Sequence, residues 1–266
     1  MNVTFPHIKI CSTHLQKFLE HIKNNKNIYF NNNNNYNKND IENNIIKIKQ
    51  DKYKQYYNFL IKSINNASNI LLNKNFIYTL SLIINKNINW KICIYKNMIF
   101  NLPFTYHDII YIPFSYLKNS SENNKFNEFT CTLVHEMIHV NQRNNIIYWN
   151  NIILKYYTQW ILVTKKNIHN FLLNFNFKQK FNIIKVLNPD TTYDFSYLYF
   201  YNNQLYYGIF CYNQENKNIS IKWFLFNFEP KLDLKIISSK FYKKYLPREE
   251  HPYEMFAYKF SEILCY

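Results

Sequence analysis

The sequence predicts an α+β fold. Three features carry that expectation. Apolar residues recur at helical spacing up to residue 72. Short β-branched and aromatic runs cluster between 88 and 117. Helical spacing then returns across 127–143 and again over the last twenty residues. No repeat and no clear linker interrupts the 266 residues. One domain over 1–266 is therefore expected, with helices set around a small mixed sheet.

Taken in order, Ile10, Leu15, Phe18, Leu19 and Ile22 mark a first helix. The Asn-rich stretch at about 31–44 buries too little to order itself and reads as a low-complexity insertion. From Ile41 to about Leu72 the helical period resumes, with Tyr56, Tyr57, Leu60, Ile61 and Ile64 on one side. "INWKICIYK", "MIFNLPFTY" and "DIIYIPFSYL" read as three strands, and "KNSSENNKFN" as a polar connection. A helix is expected from Asn127 or Glu128. A second, 145–163, contains Trp149, Tyr157 and Trp160 as core residues. Aromatic strands follow over 187–213 and 219–230. A closing helix over 246–266 has Pro252 in its first turn, where no N–H is needed.

Composition limits the function classes. There is a single glycine, Gly208, so Gly-rich phosphate loops are excluded. Asn, Lys and Ile dominate, which marks an AT-rich genome such as that of a parasite or a large DNA virus. The net charge is +15. Its lysines are scattered among Asn and Ile, and Arg143 and Arg248 stand alone, which argues against a dedicated nucleic-acid patch. The five cysteines are far apart, odd in number and without a C-x-x-C pair. That pattern predicts a reducing compartment and a buried thiol at Cys131. No apolar run is long enough to span a bilayer, and the first residues do not read as a signal peptide. A cytoplasmic location is expected, host cytoplasm or virion if the source is viral.

Chemistry concentrates at "LVHEMIHVNQR". His135 and His139 are four residues apart, so on a helix both imidazoles share one face. Two such nitrogens can reach one zinc ion, and Glu136 lies beside them as a base for a metal-activated water. A shuffled chain of this composition would produce the spaced motif roughly one time in a hundred. Gln142 excludes the longer pattern in which Gly precedes a third His. The third ligand must come from downstream, among His169, Asp190, Asp194, Glu215, Glu229, Asp233, Glu249, Glu250, His251, Glu254 and Glu262. Glu254 is the best placed, in the first turn of the closing helix. Gln142 and Arg143 are candidates for the outer shell.

Three stretches together, "NLPFTYHDIIYIP", "LVHEMIHVNQR" and "HPYEMFAY", resemble zincin metallopeptidases of the gluzincin type. The likeness is to zincin-like proteins of large DNA viruses and protists. It covers about residues 100–260, with "NPDTTY" inside it. The resemblance implies a zincin-like α+β fold and zinc held by His135, His139 and Glu254, with Glu136 as general base. It also implies a peptide or protein substrate laid along the sheet edge near "TYHDIIYIP". Gluzincins often carry an acid one turn after the third ligand. Tyr258 stands there instead, so Asp190 or Asp194 is a candidate partner for the motif histidines. Tyr193, Tyr253 and His251 are candidates to steady the oxyanion. The alternative expectation is a catalytically inactive zincin-like or basic protein that contacts nucleic acid or a host protein.

Overall fold

The structure, a computed structural model, describes residues 50–72, 88–96, 102–164, 168, 183–185, 190, 195–213, 219–226, 237–238, 241, 243–244 and 246–266. The first expected helix and the Asn-rich insertion lie outside them. The described residues show a mixed α+β fold with five helices and two small sheets. They group into two compact units, one within Met1–Asn145 and Ala257–Tyr266, the other within Ile146–Phe256.

The first unit opens with a 3-10 turn at Asp51–Tyr53 that leads into α1, Lys54–Leu72. Leu60, Ile64, Ala67 and Leu71 recur at helical spacing and are fully buried. This stripe side packs on α3, Phe126–Asn144, with Phe59 against Phe126 and Phe129. Strands β1 (Ile92–Tyr95), β2 (Phe104–Tyr106) and β3 (Ile109–Pro113) form a mixed sheet in the order β1-β3-β2. β1 runs parallel to β3 and β2 antiparallel to it, so among the described strands β2 ends the order. Trp90 donates its indole N–H to Ser68 at 2.8 Å, tying the start of β1 to α1.

The third expected strand ends sooner than its apolar run. Pro113 caps α2, Phe114–Glu122, which takes in much of the expected polar connection. Buried Leu117 and Ser120 give this short helix its inner face. Phe114 meets Tyr53 and Tyr56 edge-on, and the Tyr116 hydroxyl lies 2.9 Å from Thr132. α2 stops in a left-handed residue, Asn124 at φ 54°. Lys125 donates to the Ser120 carbonyl and Asn124 to that of Ser121, so Asn does the work glycine usually does in this helix stop.

The second unit begins with α4, Ile146–Tyr156, on which Trp149 and Ile153 are buried. The expected helix over 145–163 is corrected here: it ends at Tyr156, and Trp160–Thr164 is strand β4. A turn at Tyr157–Trp160 separates the two, and β4 pairs along its whole length with β6, Phe195–Tyr201. β7 (Gln204–Asn213) joins β6 to β5 (Ile183–Lys185), and β8 (Ile219–Phe226) also pairs β7. Every pairing is antiparallel. Val163, Leu198, Ile209, Cys211, Phe224 and Phe226 form the core on this sheet. The β6–β7 turn uses Asn202 and Asn203, both at positive φ, between the paired Tyr201 and Gln204.

The closing helix is α5, Pro252–Cys265. His251 stands at its N-cap, where its Nδ1 accepts the Tyr253 N–H at 3.1 Å. Cys265, in its last turn, forms a disulfide with Cys131 of α3. The expected buried thiol at Cys131 is thus corrected, and two of the four described cysteines pair. Cross-linking residues 134 apart removes unfolded-chain freedom worth on the order of 5 kcal/mol. No helix among the described residues is long and apolar enough to cross a membrane.

Candidate metal centre

α3 holds the motif because it is buried nearly all round, with Phe129, Leu133, Val134, Met137, Ile138 and Val140 in the core. Among them His139 is fully buried and His135 half-buried. Their Nε2 atoms stand 3.1 Å apart. Two nitrogens at tetrahedral positions on one zinc ion are separated by about 3.3 Å. The pair is therefore set at chelating distance.

Gln142 fixes which nitrogen of His139 is available. Its Oε1 lies 2.8 Å from His139 Nδ1, and an amide oxygen only accepts. Nδ1 must carry the proton, so Nε2 offers its lone pair. Helical geometry makes this contact local, because Gln142 is three residues after His139. The amide itself is fully buried. The expectation that Asp190 or Asp194 partners the motif histidines is thus answered for His139 by Gln142. Asp190 is buried and Asp194 lies outside the described residues.

Glu254 comes from the first turn of α5 and is buried. One ligand atom each from His135, His139 and Glu254 lie within 4.8 Å of one another, and this His-His-Glu group could hold a metal ion. The donor set suits zinc, which takes imidazole nitrogen and carboxylate oxygen together. One turn on, the Tyr258 ring centre lies 4.4 Å from that of His135. The two rings meet at a tilt of 53°.

Glu136 is buried beside the pair. The Tyr116 hydroxyl is pushed above its ordinary value mainly by burial, and Glu136's negative charge adds to the push. Glu249 is also raised, by burial first and then by Glu254, against the pull of Arg248. Arg143, one turn past His139, reaches the Thr105 carbonyl of β2 at 3.4 Å. His107 takes φ 54° in the β2–β3 turn, and Asp108 pairs with Lys91.

The three candidates for oxyanion stabilisation divide. Tyr253 is completely buried, and its hydroxyl donates to Asn150 Oδ1 at 2.7 Å. Tyr197 donates to the same oxygen at 2.5 Å, so this pair fastens β6 and the start of α5 to α4. His251 is buried and caps α5. Tyr193 lies outside the described residues. Sequence reasoning did not single out Cys265. Its pairing depends on proximity across 134 residues, for which a lone sequence carries no signal.

No family model, no curated protein and no solved structure matches this chain.

Proposed function

We propose that the protein is a zinc-dependent metallopeptidase of the gluzincin type, with a zincin-like fold. The observation that carries the reading is the convergence of His135, His139 and Glu254 on one point. The Gln142 hydrogen bond supports it, since it leaves His139 Nε2 ready to ligate. Zinc held there would supply Lewis acidity, lowering the pKa of a coordinated water and polarising a carbonyl.

The chain's own residues supply the rest. Glu136, next in sequence to His135, takes the proton from the attacking water and passes it to the leaving amine. Burial of Glu136 excludes bulk water and strengthens that exchange. By the same resemblance, a peptide substrate would lie along the sheet edge near β2 and β3, both of which pack against α3. Arg143 holds the Thr105 carbonyl of β2 and so steadies the edge.

Two measurements test the proposal. Metal analysis of purified wild-type protein should give one zinc per chain, and absence of stoichiometric zinc would refute it. Glu136→Gln should keep the metal and lower peptide hydrolysis by about 100-fold or more. Unchanged turnover in that variant removes Glu136 from the mechanism.

A further inference from the structure

The first turn of α5 is anchored on both sides of Glu254. Tyr253, just before it, is fully buried. The Tyr253 hydroxyl donates to Asn150 Oδ1 at 2.7 Å and lies 3.4 Å from the Ile146 carbonyl, both on α4. Its backbone N–H donates to His251 Nδ1. Its ring meets those of Phe195 and Tyr197 on β6. Two residues after Glu254, the Phe256 ring packs edge-on against Trp149 of α4 and Tyr157 just beyond it. All of these residues belong to the second unit.

Successive residues of a helix are turned by about 100°. Tyr253 and Phe256, three apart, therefore share the anchored face, and Glu254 projects about 100° or more away from each. A turn gripped on that face has little freedom to rotate about its axis. The direction of the Glu254 side chain is then set by what holds Tyr253 and Phe256. Asn150 does so through one shared atom. An amide oxygen has two lone pairs. Tyr253 takes one and Tyr197 the other, the latter at 2.5 Å. A single oxygen thus ties the start of α5 and strand β6 to α4. Removing it deprives two buried hydroxyls of this acceptor at once, and a buried hydroxyl without its acceptor shifts its ring to find another.

We propose that Asn150 is a positioning residue for Glu254. Its side-chain oxygen fixes the rotation of the first turn of α5 within the second unit, through Tyr253, and so fixes the direction in which that turn presents the carboxylate. It acts through these neighbours and not by contact with a ligand. This rests on the reading that Glu254 is a metal ligand, and the variants below separate the two.

Zinc affinity is measured by competition with a chromophoric chelator for wild type, Asn150→Leu, Asn150→Asp, Glu254→Gln and the double variant Asn150→Leu/Glu254→Gln, with folding checked by circular dichroism. Asn150→Leu should bind about tenfold more weakly than wild type. Asn150→Asp keeps an acceptor oxygen and should regain most of that loss. In the Glu254→Gln background the leucine should add little, because the side chain it misdirects is already disabled. A folded Asn150→Leu with wild-type affinity, Glu254→Gln still being weak, overturns the positioning role and leaves the metal centre standing. An equal fall in both backgrounds also overturns it, since a merely structural role weakens the site with or without Glu254. An aspartate variant as weak as the leucine one overturns it too. Wild type that binds no zinc, or Glu254→Gln that binds as wild type does, overturns the metal reading of Glu254 and the positioning role together. If Asn150→Leu does not fold, Tyr253→Phe, which removes one hydroxyl and keeps the ring, takes its place with the same outcomes.

Discussion

Gln142 decides which nitrogen of His139 keeps its lone pair for a ligand. Carboxylates often do this for ligating histidines, and they add negative charge as well as a tautomer. An amide gives the tautomer alone. Replacing Gln142 by Leu would strand a buried Nδ1 and let the ring take either tautomer. Zinc affinity in Gln142→Leu should then fall by about 10–100-fold, while Gln142→Glu keeps the acceptor and binds as tightly as wild type or tighter. Chelator competition on the folded variants checks this, and a Leu variant with wild-type affinity would sink the assignment. At the same scale the approach of His135 to His139 was legible in the sequence, because one helix turn sets their geometry. Gln142 was legible only as a candidate, since its contact depends on a side-chain rotamer.

Elements were legible where spacing and burial agree. α1, α3 and α5 follow their apolar rows, and Glu254 was legible through its place in the first turn of α5. The failures have physical causes. "WILVT" continues the apolar spacing of α4, yet β-branched residues and pairing to β6 make it strand β4. "FSYLKNSSE" is polar by composition, yet tertiary packing of Leu117 and Phe114 makes it a helix. Gly208 shows what a single residue can require of two elements. It lies in β7, opposite Trp223, and an added Cβ would stand 2.7 Å from Glu250 Cβ and 2.9 Å from its Cα. The segment that leads into His251 and Glu254 therefore approaches the sheet too closely for any side chain. Gly208→Ala should destabilise the fold by about 1–3 kcal/mol, through overpacking that displaces Glu250. Urea unfolding measures it, and a midpoint unchanged from wild type would show that the segment yields freely.

At the scale of the molecule, tyrosine burial sets a limit on alkaline stability. Both units contain raised hydroxyls: Tyr106 and Tyr116 in the first, Tyr197, Tyr199, Tyr206 and Tyr207 in the second. Desolvation is the leading cause for each. Tyr207 is pushed up to about 12; its hydrogen bond to Ser196 pulls it back and the charge of Glu250 adds to the rise. A hydroxyl raised above its unfolded value of 10.0 stabilises the fold fully below that pH. Above it the unfolded chain releases a proton that the folded chain keeps, so stability falls until the folded hydroxyl titrates, near 12 for Tyr207. The urea midpoint should therefore hold steady to about pH 10 and drop beyond it, with tyrosinate absorbance rising as the protein unfolds. Lysines titrate in the same range, so Tyr207→Phe provides the control. Removing that hydroxyl removes its share of the loss, and the variant's midpoint should fall less than that of wild type between about pH 10 and about pH 11. Identical slopes for the two proteins would show that the Tyr207 hydroxyl is not held protonated by the fold.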